Sequence, residues 1–157
     1  MSLPLKADPE APATPQDLPE DRYVLEEQIG HLLRRAHQRA TAVFQEAMGD
    51  LGLTPTQYAA LVKVGEVGEI SQNHLGRLTA MDPATSQGVI RRLEAQGLVT
   101  WRADPTDRRR TLLSLTAAGK RTLDPVIARG RAITRATLAP LDEAEQARFL
   151  SLLKKLI

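Results

Sequence analysis

Apolar side chains recur at helical spacing over most of this chain, and one short region has β-prone runs instead. A broad apolar stripe runs from Tyr23 to about Met48 and predicts a first long helix. A second long helix is predicted from Thr116, with a kink or local break at Pro125. A third is predicted from Asp142 to the last residue. The chain is therefore predicted to be mainly α-helical.

Three shorter helices are predicted between the long ones, each from its own start signal. Thr54 and Gln57 form a capping box, Ser71 can cap a second helix, and Asp82 can cap a third. Gly97 suits the left-handed backbone conformation that often follows the last residue of a helix. Only a short turn separates the second and third of these helices. This helix, turn and helix is the arrangement that reads DNA.

The β-prone runs lie at residues 98–101 and 111–115, on either side of the loop ADPTDRRR. Together they predict a hairpin, or wing, with a charged tip that includes Arg102. Arginines on such a tip can reach phosphates or a narrow minor groove. An arginine-rich hairpin can also be a solvated sheet edge, whose charges prevent pairing with the strands of another molecule. The helices upstream favour the DNA interpretation.

The third short helix supplies the candidate contacts to bases, because its apolar face packs and its polar face is left for the major groove. Glutamine suits adenine and arginine suits guanine, whereas phosphate contacts position a protein without choosing sequence. The candidates for base contact are Thr85, Ser86, Gln87 and Arg91. The candidates for phosphate contact are Arg92, Arg102, Arg108, Arg110 and Thr111.

Over residues 20–157 the chain resembles the MarR-type winged helix-turn-helix regulators. The resemblance is carried by GLTPTQYAALVKV, SQNHLGRLTAMDPATSQGVIRRLEAQGLV and DPTDRRRTLLSLTAAG, in this order. It implies that Arg109 enters the minor groove and that Asp107 orients it, although the sequence leaves open which wing arginine points inward. It also implies a homodimer built by residues 22–48 and 117–157, with residues 54–116 as the winged helix-turn-helix. Such a dimer binds inverted repeats about one helical turn apart in double-stranded DNA.

The resemblance further implies a small-molecule pocket between the dimer helices and the DNA-reading part, often for aromatic carboxylates or phenols. The chain is similar to the branch of the family that represses breakdown of nicotinate or related aromatic acids. It is therefore interpreted as a repressor that such an acid releases. A DNA-binding regulator without small-molecule control and a helical dimerisation module are the alternatives. The candidate ligand residues are Tyr23, His31, Arg34, Arg35, His37 and Tyr58.

Several of these candidates have a structural interpretation as well. A helical histidine is more often at the surface or the edge of a core, and Tyr58 suits a core position with its hydroxyl satisfied. His31 and His37 lie six residues apart on different helix faces, which disfavours a metal site. No nucleophile elbow, phosphate loop or metal motif indicates an enzyme, and no cofactor is predicted.

The composition of the chain excludes further classes of protein. The chain of 157 residues has no cysteine, which excludes disulfides, thiolate zinc sites and cysteine redox sensing. No apolar run is long enough for a membrane span or a secretion signal, so a cytoplasmic protein is expected. Residues 1–29 carry a net charge of −5, which leaves +7 for the remainder to attract phosphates. Residues 1–21 contain five prolines and are expected to be a mobile arm.

Overall fold

The computed structural model describes residues 23–107 and 111–157. These residues confirm a mainly helical fold with a small antiparallel sheet. The helices are α1 (Ile29–Met48), α2 (Pro55–Val67), α3 (Gln72–Leu78), α4 (Pro83–Ala95), α5 (Ala117–Leu138) and α6 (Glu143–Leu153). The strands are β1 (Glu69–Ile70), β2 (Val99–Ala103) and β3 (Thr111–Leu115).

The start signals found in the sequence begin the helices as expected. Thr54 and Gln57 form both hydrogen bonds of a capping box at α2, and Asp142 forms the same box with Glu145 at α6. Ser71 accepts from the backbone of α3, and Gly97 after α4 has a φ of 69°. Each signal needs only neighbours within a few residues, which is why the sequence alone could indicate it.

The long helices differ from the prediction at two ends and at Pro125. The first long helix begins at Ile29, because Leu25–Glu27 form a separate 3-10 turn and Gln28 has an extended backbone. The second continues through Pro125 as one helix, so the alternative of a local break is wrong, and the alternative of a kink stays a prediction. The last helix ends at Leu153 and not at the chain end.

The sheet has three strands in the order β1-β3-β2, one more than the predicted hairpin. Val99 pairs with Leu115 and Ala103 with Thr111, which sets the register of the wing. The added strand β1 pairs Ile70 with Leu113 of β3. Leu113, Ser114 and Leu115 of β3 and Val99 of β2 are buried. Strand β3 contacts α2 and α5, and β2 contacts α4. The buried core includes Met48, Leu61, Val64, Ile70, Leu75, Leu93, Val99, Leu113 and Val126.

The chain divides into two compact units, residues 1–36 and residues 37–157. In the first, residues 23–36 are described and comprise the 3-10 turn and the first part of α1. The second contains the remaining described elements. Its wing and helix-turn-helix form the candidate functional site.

The base of the wing is closely packed against the first turn of α5. The Thr116 hydroxyl donates to the Gly97 carbonyl at 2.6 Å, and the Thr116 N–H donates to the Leu98 carbonyl at 3.1 Å. A Cβ atom added to Gly119 would lie 2.0 Å from that Leu98 oxygen. Glycine is therefore required here by the close approach of two backbones.

Candidate nucleic-acid interface

The amino terminus of α4 is held by one carboxylate. Asp82 Oδ1 accepts from the Thr85 N–H at 2.9 Å, and Asp82 Oδ2 accepts from the Thr85 hydroxyl at 2.5 Å. The Thr85 hydroxyl, followed by its N–H, holds the pKa of Asp82 below the ordinary value of 3.8. Asp82 is thus ionised at neutral pH. The first turn of α4 is anchored at the end that a groove-reading helix presents to bases.

The packing of α3 against α4 corrects one predicted contact. Ser86 is only 1% exposed, and both its Cβ and Oγ lie 3.7 Å from the position of a Cβ atom on Gly76. Its side chain therefore points into the helix pair and cannot reach a base edge without rearrangement. The assignment of Ser86 to base contact is wrong for this structure. Ser86 lies three, four and seven residues before Val89, Ile90 and Leu93, so helical periodicity already places it on the buried face.

The other polar residues of α4 are exposed, as a contact to DNA requires. Val89, Ile90 and Leu93 are buried on the opposite face. Gln87 and Arg91 are one helical turn apart and line a shallow depression of about 230 Å³ beside Trp101. The exposed candidates on α4 are Thr85, Gln87, Arg91 and Arg92. Their roles at bases and phosphates stay predictions.

The turn at the start of the wing loop is organised by Asp104, which the sequence analysis did not single out. Its Oδ1 accepts from the Thr106 N–H at 2.8 Å, the Thr106 hydroxyl at 2.6 Å and the Asp107 N–H at 3.3 Å. A buried carboxylate that accepts several local donors fixes a turn strongly. The Asp-Pro pair in the sequence was the available signal for such a turn.

Arg102 and Thr111 are exposed on the two wing strands, and Asp107 is half-buried. These three candidates therefore lie on or directly beside the wing. The predicted contacts of Arg108, Arg109 and Arg110 fall outside the described residues. Their assignment to the minor groove or to phosphates stays a prediction from the sequence.

The candidate ligand residues lie in both compact units. In residues 23–36, Tyr23 is 75% exposed, and Arg34 Nη2 donates to Nδ1 of the half-buried His31 at 3.4 Å. Arg35 is exposed in the same segment. The contact between His31 and Arg34 leaves further guanidinium donors for another acceptor.

In residues 37–157, His37 is exposed and Tyr58 is half-buried. The Tyr58 ring meets Phe44 edge to face, with ring centres 5.8 Å apart and an angle of 74°. Its hydroxyl lies 2.0 Å from where a Cβ atom on Gly130 would stand, so the absence of that atom makes room for the ring. Tyr58 therefore packs against α1 and α5 at the edge of the core.

Within residues 23–107 and 111–157, no group of three or more His, Cys, Asp or Glu side chains is placed to hold a metal ion. Over the same residues, no helix has the length and apolar character needed to cross a membrane.

Comparison with known proteins agrees with this geometry. Residues 51–110 match the model of the MarR family. The chain is 40% identical over 146 residues to the HTH-type transcriptional repressor NicR of Pseudomonas putida, with 92% of each chain covered.

Two solved structures are also similar. One is a protein of Pseudomonas aeruginosa described as a probable transcriptional regulator, with 51% identity and a TM-score of 0.82, covering 85% of this chain and 100% of that one. The other is BpsR of Bordetella bronchiseptica, solved for the mechanism by which 6-hydroxynicotinic acid regulates its DNA binding. It has 38% identity and a TM-score of 0.81, and the match covers 86% of this chain and 96% of BpsR.

Proposed function

The chain belongs to the MarR family, and from this premise we propose that it is a homodimeric transcriptional repressor. In this proposal it binds an inverted-repeat operator and is released by a small aromatic carboxylate of the hydroxynicotinate type. The main observation in support is the exposed polar face of α4. This helix is capped by Asp82 and packs against α3 beside the wing. A helix about 10–12 Å across fits a major groove about 12 Å wide.

The charges on and beside α4 and the wing support a nucleic-acid partner. Arg91, Arg92 and Arg102 are exposed, and three further arginines follow at positions 108–110. Each arginine that meets a phosphate releases counterions, so binding would weaken as salt rises. Specific recognition would come from base edges through α4, since phosphate contacts carry no sequence information directly.

Exposed apolar side chains support the homodimer. In residues 37–157, Phe149 is 39% exposed, and Leu150 and Leu152 are 38% and 49% exposed on α6. In residues 23–36, Ile29, Leu32 and Leu33 are also exposed. Burial of such side chains against a second copy would remove apolar surface from water. Sedimentation equilibrium tests the assembly, and a chain that stays monomeric at micromolar concentration would refute it.

The relatives support the choice of effector. NicR is named a repressor, and the DNA binding of BpsR is regulated by 6-hydroxynicotinic acid. In this chain, Arg34 offers guanidinium donors of the kind that pair with a carboxylate, and its neighbour His31 has one ring nitrogen engaged by it. We therefore propose Arg34 and His31 as effector contacts, together with Tyr23, Arg35, His37 and Tyr58.

The function is tested by fluorescence anisotropy with a labelled duplex from immediately upstream of the gene and a scrambled duplex of equal composition. We expect the specific complex to be roughly a thousandfold tighter or more at physiological salt. We expect 6-hydroxynicotinic acid to release it, whereas the matched amide, 6-hydroxynicotinamide, should not. Equal binding to both duplexes would refute the repressor proposal.

Effector contact is tested separately with Arg34→Gln. Loss of a hydrogen bond to a charged group should raise the acid concentration for half-release by about tenfold or more, with DNA affinity unchanged. Lys155→Gln, at an exposed site after α6, is the control. If the acid releases DNA from the Arg34→Gln protein at the wild-type concentration, Arg34 is not an effector contact. Specific DNA binding that no aromatic acid disturbs would favour a regulator without small-molecule control.

A further inference from the structure

Thr85 has only part of its hydrogen-bonding capacity available to a partner. Its hydroxyl donates to Asp82 Oδ2 at 2.5 Å, and its N–H donates to Oδ1 of the same carboxylate. A threonine hydroxyl carries one hydrogen, and an ionised carboxylate can only accept. The direction of this bond is therefore fixed, and Thr85 has no side-chain hydrogen left to donate.

What Thr85 presents outward is a methyl group and an oxygen acceptor. The side chain is exposed in the first turn of α4, and its contact with Asp82 restrains rotation about χ1. One turn later on the same face stands Gly88, and a Cβ atom there would meet no atom within 4 Å. No side chain at position 88 therefore blocks the approach of a base pair to the Thr85 methyl group.

We infer that Thr85 recognises an A·T base pair in the major groove, through contact of its γ-methyl with the thymine C5-methyl and acceptance from the adenine N6 amino group. This inference rests on the proposed DNA-binding function. Both an A·T pair and a G·C pair offer an amino donor in the major groove, on adenine N6 or cytosine N4, but only the A·T pair offers a methyl group. The methyl contact is therefore what makes Thr85 favour A·T over G·C, and Thr85 donates to no base.

The test uses a duplex enriched from a random-sequence pool by the wild-type protein. Each thymine of that duplex is then replaced singly by uracil, which removes only the C5-methyl group. We expect one thymine in each half-site to be sensitive, with a loss of affinity of about fourfold for one buried methyl. Thr85→Val keeps a methyl and should keep this sensitivity. Thr85→Ser keeps the hydroxyl but lacks the methyl, so it should bind the thymine and uracil duplexes equally.

The outcomes separate this inference from the proposed function. Failure to enrich any duplex would refute sequence-specific binding itself. An enriched duplex that tolerates every uracil would overturn only the Thr85 inference, as would persistent uracil sensitivity in Thr85→Ser. Sensitivity to uracil that Thr85→Ser keeps and Thr85→Val loses would likewise overturn the methyl contact. Thermal unfolding of both variants verifies that each is folded.

Discussion

Gly88→Ala should make the protein more stable and a poorer DNA binder. Gly88 is an interior residue of the 13-residue helix α4, where glycine is about 0.8–1 kcal/mol less favourable than alanine. A Cβ atom at this position would meet no atom within 4 Å, so no internal clash offsets the gain. The unfolding midpoint should rise by roughly 2–4 °C, the shift typical for about 1 kcal/mol in a protein of this size.

The same added methyl group should obstruct a closely approaching base or sugar. An extra methyl in a packed contact costs about 1–3 kcal/mol, which corresponds to a loss of operator affinity of about five- to 150-fold. Calorimetry measures the stability and fluorescence anisotropy measures the affinity. Ser151→Ala, at an exposed position of α6, is the control for helix propensity, and sedimentation verifies that it is still a dimer. Gly88→Ala with unchanged operator affinity would refute the close approach of α4 to DNA.

Three further substitutions test other parts of the molecule. Gly119→Ala should destabilise the fold by about 1–3 kcal/mol, because its Cβ would meet a backbone oxygen of Leu98; chemical denaturation measures this loss. Arg109→Ala should weaken operator binding by more than about tenfold while the dimer persists, since an arginine in a minor groove is a strong electrostatic contact; anisotropy and sedimentation measure the two properties. Asp50→Asn should reduce the loss of stability on acidification. Arg129 donates to both Asp50 oxygens and lowers the pKa of Asp50 from 3.8, so protonation below that pH removes a native interaction.

Each of these predictions has an outcome that contradicts it. Wild-type stability of Gly119→Ala would mean that the wing moves away from α5 without cost. Unchanged operator affinity of Arg109→Ala would exclude this residue from the interface. For Asp50→Asn, the sign follows from a depressed native pKa: the stabilisation is present above the unfolded-state value and is lost as pH falls. An acid unfolding curve identical to that of the wild type would show that Asp50 does not contribute.

Much of the fold could be predicted because its signals are local. The caps at Thr54, Ser71, Asp82 and Asp142 each involve partners three residues away, and the apolar periodicity of α4 identified its buried face. Strand β1 could not be found in this way, because its two residues are too few to show alternation and its pairing is with β3, over forty positions later.

The candidate site was less predictable where it depends on tertiary contact. The spacing of α4 places Ser86 on the buried face, but a serine is usually a surface residue, and its burial also needs the close approach of α3 at Gly76. Asp104 is different, because its bonds reach only Thr106 and Asp107 and the Asp-Pro pair was a local signal for this turn. Arg39 of α1 donates to the carbonyls of Ala136 and Thr137 in α5, a contact between residues almost a hundred positions apart. No short-range pattern encodes such pairs.

The junction of Gly119 with the Leu98 carbonyl has a mechanical consequence. The two backbones are in direct contact, and Thr116 bonds to both Gly97 and Leu98. The base of the wing therefore cannot move independently of the start of α5. A tilt of α5 would therefore also tilt the wing, and the displacement of the wing would increase along the strands towards its tip. In the proposed dimer, a small rotation of α5 would therefore displace the tip of each wing further than its base and change the spacing between the two tips.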